Sequence, residues 1–189
     1  CKNMTEIADQ LLKQGISQYQ NHQFEAALES WQQALVIYQE ISDRRKQAAA
    51  LGNIVVAYEA LSNYHSAIEY NLRHLNIARE IQDQEGEGKV LGNLGNAYYA
   101  LENYSQAVEY QQKRLTIAQE MQDEFGCEQA YSSLGIAYHG LGKFTQAKEC
   151  YQQQLAFARK ISNYTSQGDA LFNLRLLYQS MEDSRKAEE

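Results

Sequence analysis

Few residues in this chain have types that could do chemistry, and their spacing does not support it. The stretch GEGKVLG, residues 86–92, has the glycines and the lysine of a phosphate-binding loop. It lacks the GxxxxGKS/T spacing and no strand pattern precedes it, so it reads as a linker between helices. His22, His65, His74 and His139 show no HExxH or comparable metal-ligand spacing. His65 falls at a turn and His74 on a variable helix face, which makes both of them surface residues. The cysteines Cys1, Cys127 and Cys150 form no CxxC pair, and an odd count suits a reducing compartment better than a disulfide framework. Cys127 lies near a helix start, where a thiol is mildly activated, but no histidine stands in register with it. Cys150 takes a position filled elsewhere by Tyr70 and Tyr110, which argues for packing. Asn-x-Ser/Thr sequons at Asn3, Asn103 and Asn163 are frequent by chance. No nucleophile–base pair can be assembled, so neither catalysis nor a cofactor nor a metal is expected.

Composition narrows the remaining classes. Of 189 residues, 44% are apolar, enough for a real core. There is no proline and there are 14 tyrosines, against a background of Ala, Leu, Glu and Gln. Without the main helix breaker, and with good helix formers abundant, helices are expected throughout. The net charge of −7 argues against nucleic acid, whose binding depends on Lys and Arg neutralising phosphates. No apolar run approaches the length of a membrane span. The chain opens on Cys1 rather than Met, which we read as a cloning boundary in preference to a lipid-modified terminus. That leaves the compartment open, with the cytoplasm favoured.

The sequence repeats itself. Residues 51–90 and 91–130 agree at 19 of 40 positions, and residues 91–130 and 131–170 at 12. Ala27, Ala67, Ala107, Ala147 and Ala187 form one column at this period, and Glu29, Glu69, Glu109, Glu149 and Glu189 another. Aromatic columns read Phe24, Tyr64, Tyr104, Phe144 and Tyr58, Tyr98, Tyr138, Tyr178. Self-similarity at a fixed period marks a stacked repeat architecture. Within a unit the spacing is helical: Leu91, Leu94, Tyr98 and Leu101 trace one face. The polar stretch ENYS then turns the chain, and Ala107, Tyr110, Leu115, Ala118 and Met121 trace a second helix. The linker QDEFGC closes the unit, with Asp123 and Gly126 as stop and turn residues. Gly95 and Gly135 sit mid-helix, where Gly costs about 1 kcal/mol relative to Ala. A close approach between the helices of one hairpin, with Gly95 facing Ala107, is the expected compensation.

This pattern resembles the tetratricopeptide repeat (TPR). Its order of large residue, Leu-Gly, Tyr and Ala is met by Leu91, Leu94-Gly95, Tyr98 and Ala107, and again by Tyr131, Leu134-Gly135, Tyr138 and Ala147. Trp31 and Ala34 supply the later aromatic and alanine in the first unit. Those two columns then depart, to Asn71, Gln111, Tyr151 and to His74, Arg114, Gln154. The closing proline is missing, and the period exceeds the usual length of about 34 residues, which implies a longer second helix. Both departures resemble the longer-repeat branch of the LGN/Pins adaptors and kinesin light chains, and similar repeats precede caspase-like (CHAT) domains in bacterial multidomain proteins.

The resemblance implies an all-α TPR α-solenoid, a right-handed superhelix of helical hairpins. Repeats are placed at about 4–43, 44–83, 84–123 and 124–163, with a truncated fifth at 164–189. Helix pairs are expected over 4–41, 44–81, 85–121 and 125–161, with a lone helix near 166–181. Ala187 and Glu189 stay in register with the second-helix columns, so the chain is expected to stop inside that fifth repeat.

In a TPR superhelix the first helices line a concave face that binds extended peptides. Carrying that face over by register assigns a groove to Lys13, Asn53, Lys89, Asn93, Asn96, Tyr99, Ser133, His139 and Asn173. Asparagine is poor mid-helix, yet it recurs at Asn53, Asn93 and Asn173, and its amide both donates and accepts. Gly52 and Gly92 would keep space free for a ligand chain, and Lys89 would meet an acidic group or C-terminal carboxylate. A protein or peptide partner is therefore expected, with no nucleic acid and no membrane span, and with self-association through the truncated C-terminal end. The function read from the resemblance is a scaffold binding an extended segment in its groove. The alternative is a regulatory or sensor array of a larger enzyme such as a CHAT peptidase. A structural, self-associating module is a third.

The register yields one stability expectation. Gly95→Leu should overpack its hairpin and cost about 1–3 kcal/mol. Unchanged thermal unfolding of that variant would refute the assigned helix–helix approach.

Overall fold

The computed structural model describes residues 3–189, so Cys1 lies outside the described residues. The described chain forms nine α-helices: α1 Met4–Gln20, α2 Phe24–Glu40, α3 Arg44–Ala60, α4 Tyr64–Glu80, α5 Gln84–Ala100, α6 Tyr104–Glu120, α7 Glu124–Gly140, α8 Phe144–Lys160 and α9 Tyr164–Glu188. The fold class is all-α. Eight helices have 17 residues each and α9 has 25. The two helices of each of the four hairpins are thus equal, and the second helix is not the longer one.

One turn joins every consecutive pair. After α1 the His22 amide donates to the Tyr19 carbonyl and the Gln23 amide to the Gln18 carbonyl; the same two bonds recur after every helix through α8. They are the crossed bonds of a Schellman motif, which need a left-handed residue just past the helix. That residue is His22, Ser42, Ser62, Gln82, Glu102, Gln122, Gly142 and Ser162 in turn, at φ between 55° and 70°. Only one of them is glycine. Except for Gln23 and Lys143, the residue after it caps the next helix: the side chains of Asp43, Asn63, Asp83, Asn103, Asp123 and Asn163 each accept a bond from the amide three positions on, as Asn3 does before α1. The three sequons are therefore capping positions.

Three local expectations change. The GEGKVLG stretch is not a linker but lies inside α5, and Gly126 is the third residue of α7 rather than a turn residue. A Cβ on Gly126 would lie 2.3 Å from the capping Asp123 carboxylate, as one on Gly86 would from Asp83, whereas Lys46 fits at the same place after Asp43. Near Met181 no turn forms, and α9 continues to Glu188 instead of ending near residue 181. Glu182 falls in the column where Glu102 is left-handed, so residue type does not forbid a turn, but the helical pairs Lys186–Glu182 and Gln179–Asp183 both favour continuation.

The chain divides into two compact units, Cys1–Val90 and Leu91–Glu189, and the division falls within α5. In the first unit Trp31, Leu35, Tyr38, Leu51 and Ile54 form the core. The Trp31 indole donates to the Leu12 carbonyl at 3.0 Å. Tyr38 donates its hydroxyl proton to Asp9 at 2.6 Å, and Lys46 reaches the same carboxylate at 2.7 Å. One acid thereby ties α1 to α2 and α3. In the second unit Leu115, Cys127, Ala130, Leu134 and Cys150 form one cluster, and Ala147, Tyr151 and Leu177 another. The alanine column Ala27, Ala67, Ala107, Ala147 is fully buried in both units.

First-helix glycines are seats for second-helix side chains. A Cβ on Gly15 would lie 2.3 Å from the Trp31 ring, on Gly95 2.5 Å from the Gln111 amide, and on Gly135 2.4 Å from the Tyr151 ring. The next glycine column does the same: Gly92 faces Arg114 at 2.9 Å and Gly52 faces His74 at 3.5 Å. The space over Gly52 and Gly92 is thus taken by the protein itself rather than left free for a ligand chain.

Two sets of stability measurements follow. Gly142 is at φ +70° with nothing within 4 Å of a Cβ, so Gly142→Ala should cost about 1 kcal/mol of backbone strain alone, and Ser62→Gly should stabilise by up to about 1 kcal/mol. Equal urea midpoints for both variants and the parent would refute the strain argument. Gly135→Ala drives a Cβ into the rigid, fully buried Tyr151 ring and should cost about 1–3 kcal/mol. Gly52→Ala meets His74 at ordinary contact distance and should gain about 0.5–1 kcal/mol of helix propensity. The same sign for both would show that the glycines are not seats.

Candidate functional site

The departures in the second-helix columns build a polar cavity in the second unit. Gly92 leaves room for the long side chain of Arg114 to lie across α5, and Arg114 donates to Gln129 on α7 at 2.8 Å. Burial pulls the guanidinium below its ordinary pKa, while Asp123 and Glu128 oppose the shift. Glu128 stands in a column otherwise filled by Ala8, Ala48, Gly88 and Gly168, and it is buried. It accepts a hydrogen bond from the Ser166 hydroxyl, which in turn accepts one from the Gln154 amide at 3.0 Å. Arg114, Glu128, Gln154, Ser166, Asn96 and Asp169 line a cavity of about 350 Å³ among α5 to α9.

A smaller cavity of about 130 Å³ is lined by Asn96, Tyr99, Gln111 and Ser133 around Gly95. The Gln111 amide donates to the Gly92 carbonyl at 3.1 Å and to Asn96 Oδ1 at 3.0 Å. Among the described residues, the buried carbonyl oxygens of Gln111 and Gln154 and the Tyr151 hydroxyl have no hydrogen-bond partner within the chain. An unmatched buried acceptor costs about 1–3 kcal/mol unless something donates to it.

The structure places the expected groove residues as follows. Asn96 and Ser133 line both cavities and Tyr99 lines the smaller one. Asn93 is exposed on α5 and Asn173 half-buried on α9. His139 shares a hydrogen bond with Ser180 on α9 at 2.9 Å and packs edge-on to Phe144. In the first unit Lys13 is exposed on α1 and Asn53 half-buried on α3. Lys89 forms an ion pair with Glu85 one helical turn away, at 2.6 Å. Sequence reasoning passed over Arg114, Glu128, Gln154 and Ser166. The available signal was the pairing of Gly92 with Arg114, twenty-two positions on, and the single Glu in a small-residue column.

Two single-residue expectations are corrected. His74 is not a plain surface residue but half-buried against Gly52, and burial lowers its pKa. Cys127 is not activated: it is 3% exposed, and burial together with Asp123 and Glu124 raises its thiol pKa. Cys150 is buried as packing requires, and its pKa is raised to about 11 by burial. No described helix is long and apolar enough to cross a membrane.

Comparison with known proteins follows the same lines. A crystal structure of a STAND signal-transduction ATPase with a tetratricopeptide repeat sensor, from Pyrococcus horikoshii, superposes with a TM-score of 0.86 at 22% identity, over 94% of this chain and 28% of that one. A putative kinesin light chain from Podosopora anserina superposes with a TM-score of 0.78 at 20% identity, over 100% and 92% of the two chains. A Rap protein complexed with competence and sporulation factor gives 0.73 at 20% identity, over 97% and 54%. The chain thus spans about a quarter of the first of these and about half of the last. No curated protein matches it. Sequence models of the tetratricopeptide repeat match residues 7–80, 46–120 and 128–160. With matches across most of its length and hairpins of the same fold, the chain belongs to the tetratricopeptide repeat family.

Proposed function

We propose that this TPR array is a non-catalytic scaffold that binds an extended partner segment along the exposed face of its first helices. The observation that supports this reading is a set of apolar side chains left open to solvent at one column of α1, α3 and α9, where α5 has the exposed Asn96 and α7 the half-buried Ile136. Ile16 and Val56 in the first unit are each 41% exposed, and Leu176 in the second is 42% exposed. Beside it, three positions earlier, stand Lys13 and Asn53 in one unit and Asn93, Ser133 and Asn173 in the other. Residues three apart share a helix face. Exposed apolar side chains alternating with amides suit a segment held through both its side chains and its backbone. Lys89 adds to the first-helix face of the first unit, and Asn96, Tyr99 and His139 to that of the second. That Rap protein, of the same fold, is described as complexed with competence and sporulation factor, which lends the reading further support.

A second reading is that the array senses or regulates within a larger multidomain protein, such as a CHAT peptidase. It is favoured by the superposition of nearly the whole chain on 28% of a STAND protein that has a TPR sensor. In that setting the same face would bind the regulating segment.

The test is affinity. Peptides selected from a random display library on the wild-type chain should bind the Asn93→Ala, Asn96→Ala double variant about ten-fold more weakly or worse, from two lost hydrogen bonds of about 0.5–1.5 kcal/mol each. Circular dichroism should show the helices intact, since Ala is the better helix former. Selected peptides that bind the double variant at wild-type affinity would remove this face as the site.

A further inference from the structure

The smaller cavity of the second unit lies where equivalent hairpins show what fills the same place. Over Gly15 and Gly135 the second helix seats the rings of Trp31 and Tyr151, which are 2% and 0% exposed. Over Gly95 the same column supplies only the Gln111 amide. An amide is smaller than either ring, and beside it a cavity of about 130 Å³ stays open, walled by Gly95, Tyr99, Ala107 and Ile136. None of its lining residues is charged, so an ammonium or a carboxylate would lose its water there without a partner. The two amide protons of Gln111 are spent on the Gly92 carbonyl and Asn96 Oδ1, and its own carbonyl oxygen is closed off. Gly95 and Ala107 are buried and add bare helix backbone and a methyl group. The other polar lining residues, Asn96 and Ser133, are exposed and half-buried, where water serves them. An apolar cavity of about 150 Å³ holds a benzene molecule, so this space is the size of one six-membered ring.

We infer that this cavity receives a single aromatic ring, the side chain of a phenylalanine or tyrosine in the bound segment. That ring completes from outside the seat that Trp31 and Tyr151 complete from within their own hairpins. The inference rests on the peptide-binding reading above and adds the residue type that the segment must present. Tyr99, 39% exposed on the same lining, gives the incoming ring an aromatic neighbour, a pairing worth more than its buried area alone.

Blocked pentapeptides, acetyl-Gly-Gly-Xaa-Gly-Gly-N-methylamide with Xaa as Phe, Tyr, Leu, Gln or Ala, test it by NMR titration of the whole chain. The Phe and Tyr peptides should bind at least ten-fold tighter than the other three, and their ring currents should shift the Ala107 and Ile136 methyl signals. Gln111→Tyr supplies a ring from within, as Tyr151 does over Gly135, and should abolish that preference. Ile136→Phe, at a half-buried position, fills the space from α7; it should do the same and decides the matter if the buried variant unfolds. A Leu or Gln peptide binding as tightly as Phe, a preference that survives in the folded variants, or shifts centred on Arg114 instead of Ala107 overturns the inference. Equal binding of all five peptides overturns the ring pocket while leaving the peptide groove standing. Binding of none of them also overturns the ring pocket, and the groove then stands or falls on the library-selected peptides and the Asn93→Ala, Asn96→Ala variant.

Discussion

Everything in this fold depends on one backbone device, the left-handed residue that closes each helix. Because the crossed hydrogen bonds recur after eight successive helices, each turn consumes the same number of residues. Each hairpin helix also has the same length, so residues forty apart fall at equivalent places. The columns visible in the sequence are the consequence. Seven of the eight left-handed positions carry a side chain, so the turns hold against a local cost of about 1–2 kcal/mol each. The amide bonds of the turn, the Asn and Asp caps that follow it and the packing of the next helix offset that cost together.

On this frame the glycines make the hairpins asymmetric. A first helix with Gly at two columns presents bare backbone to its partner, and the second helix sends large side chains across it. Trp31, Gln111 and Tyr151 fill one column of seats and His74 and Arg114 the other. The family pattern puts an aromatic and a small residue there, as Trp31 and Ala34 do. Replacing them by polar residues carries hydrogen-bonding groups from the second-helix layer through to the cavity side. That is why the polar lining of the second unit comes largely from residues that a first-helix groove argument does not reach.

The polar lining has a cost as well. Gln111, Gln154 and Tyr151 each keep a buried atom without a partner in the chain, and Glu128 is buried in a position where its counterparts are alanine or glycine. Buried polar groups of this kind reduce stability unless something satisfies them. The first unit has less of this. Its Trp31 and Tyr38 both find partners, in the Leu12 carbonyl and Asp9. Among its described residues Asn71, with both amide atoms unmatched, is the comparable case, and Val55 stands in the column that holds glycine at Gly15, Gly95 and Gly135.

The sequence by itself determined the helical class, the hairpin unit and its family, because these follow from local periodicity and from columns such as Ala27 to Ala147 that repetition makes visible. It also pointed to Gly95 as a place of close approach. It did not disclose what approaches, since a glycine's neighbour is set by the angle at which two helices cross. Only the tertiary structure decided that Arg114 lies over Gly92, that Glu128 is buried against Ser166, and that the linker-like GEGKVLG is ordinary helix. Near Met181 the alanine register predicted a turn, and Glu182 stands where Glu102 is left-handed, yet helical pairs across the stretch favour continuation. Periodicity fixes which face a residue occupies. Contacts between faces depend on side-chain length and helix crossing, which no single column of the sequence encodes.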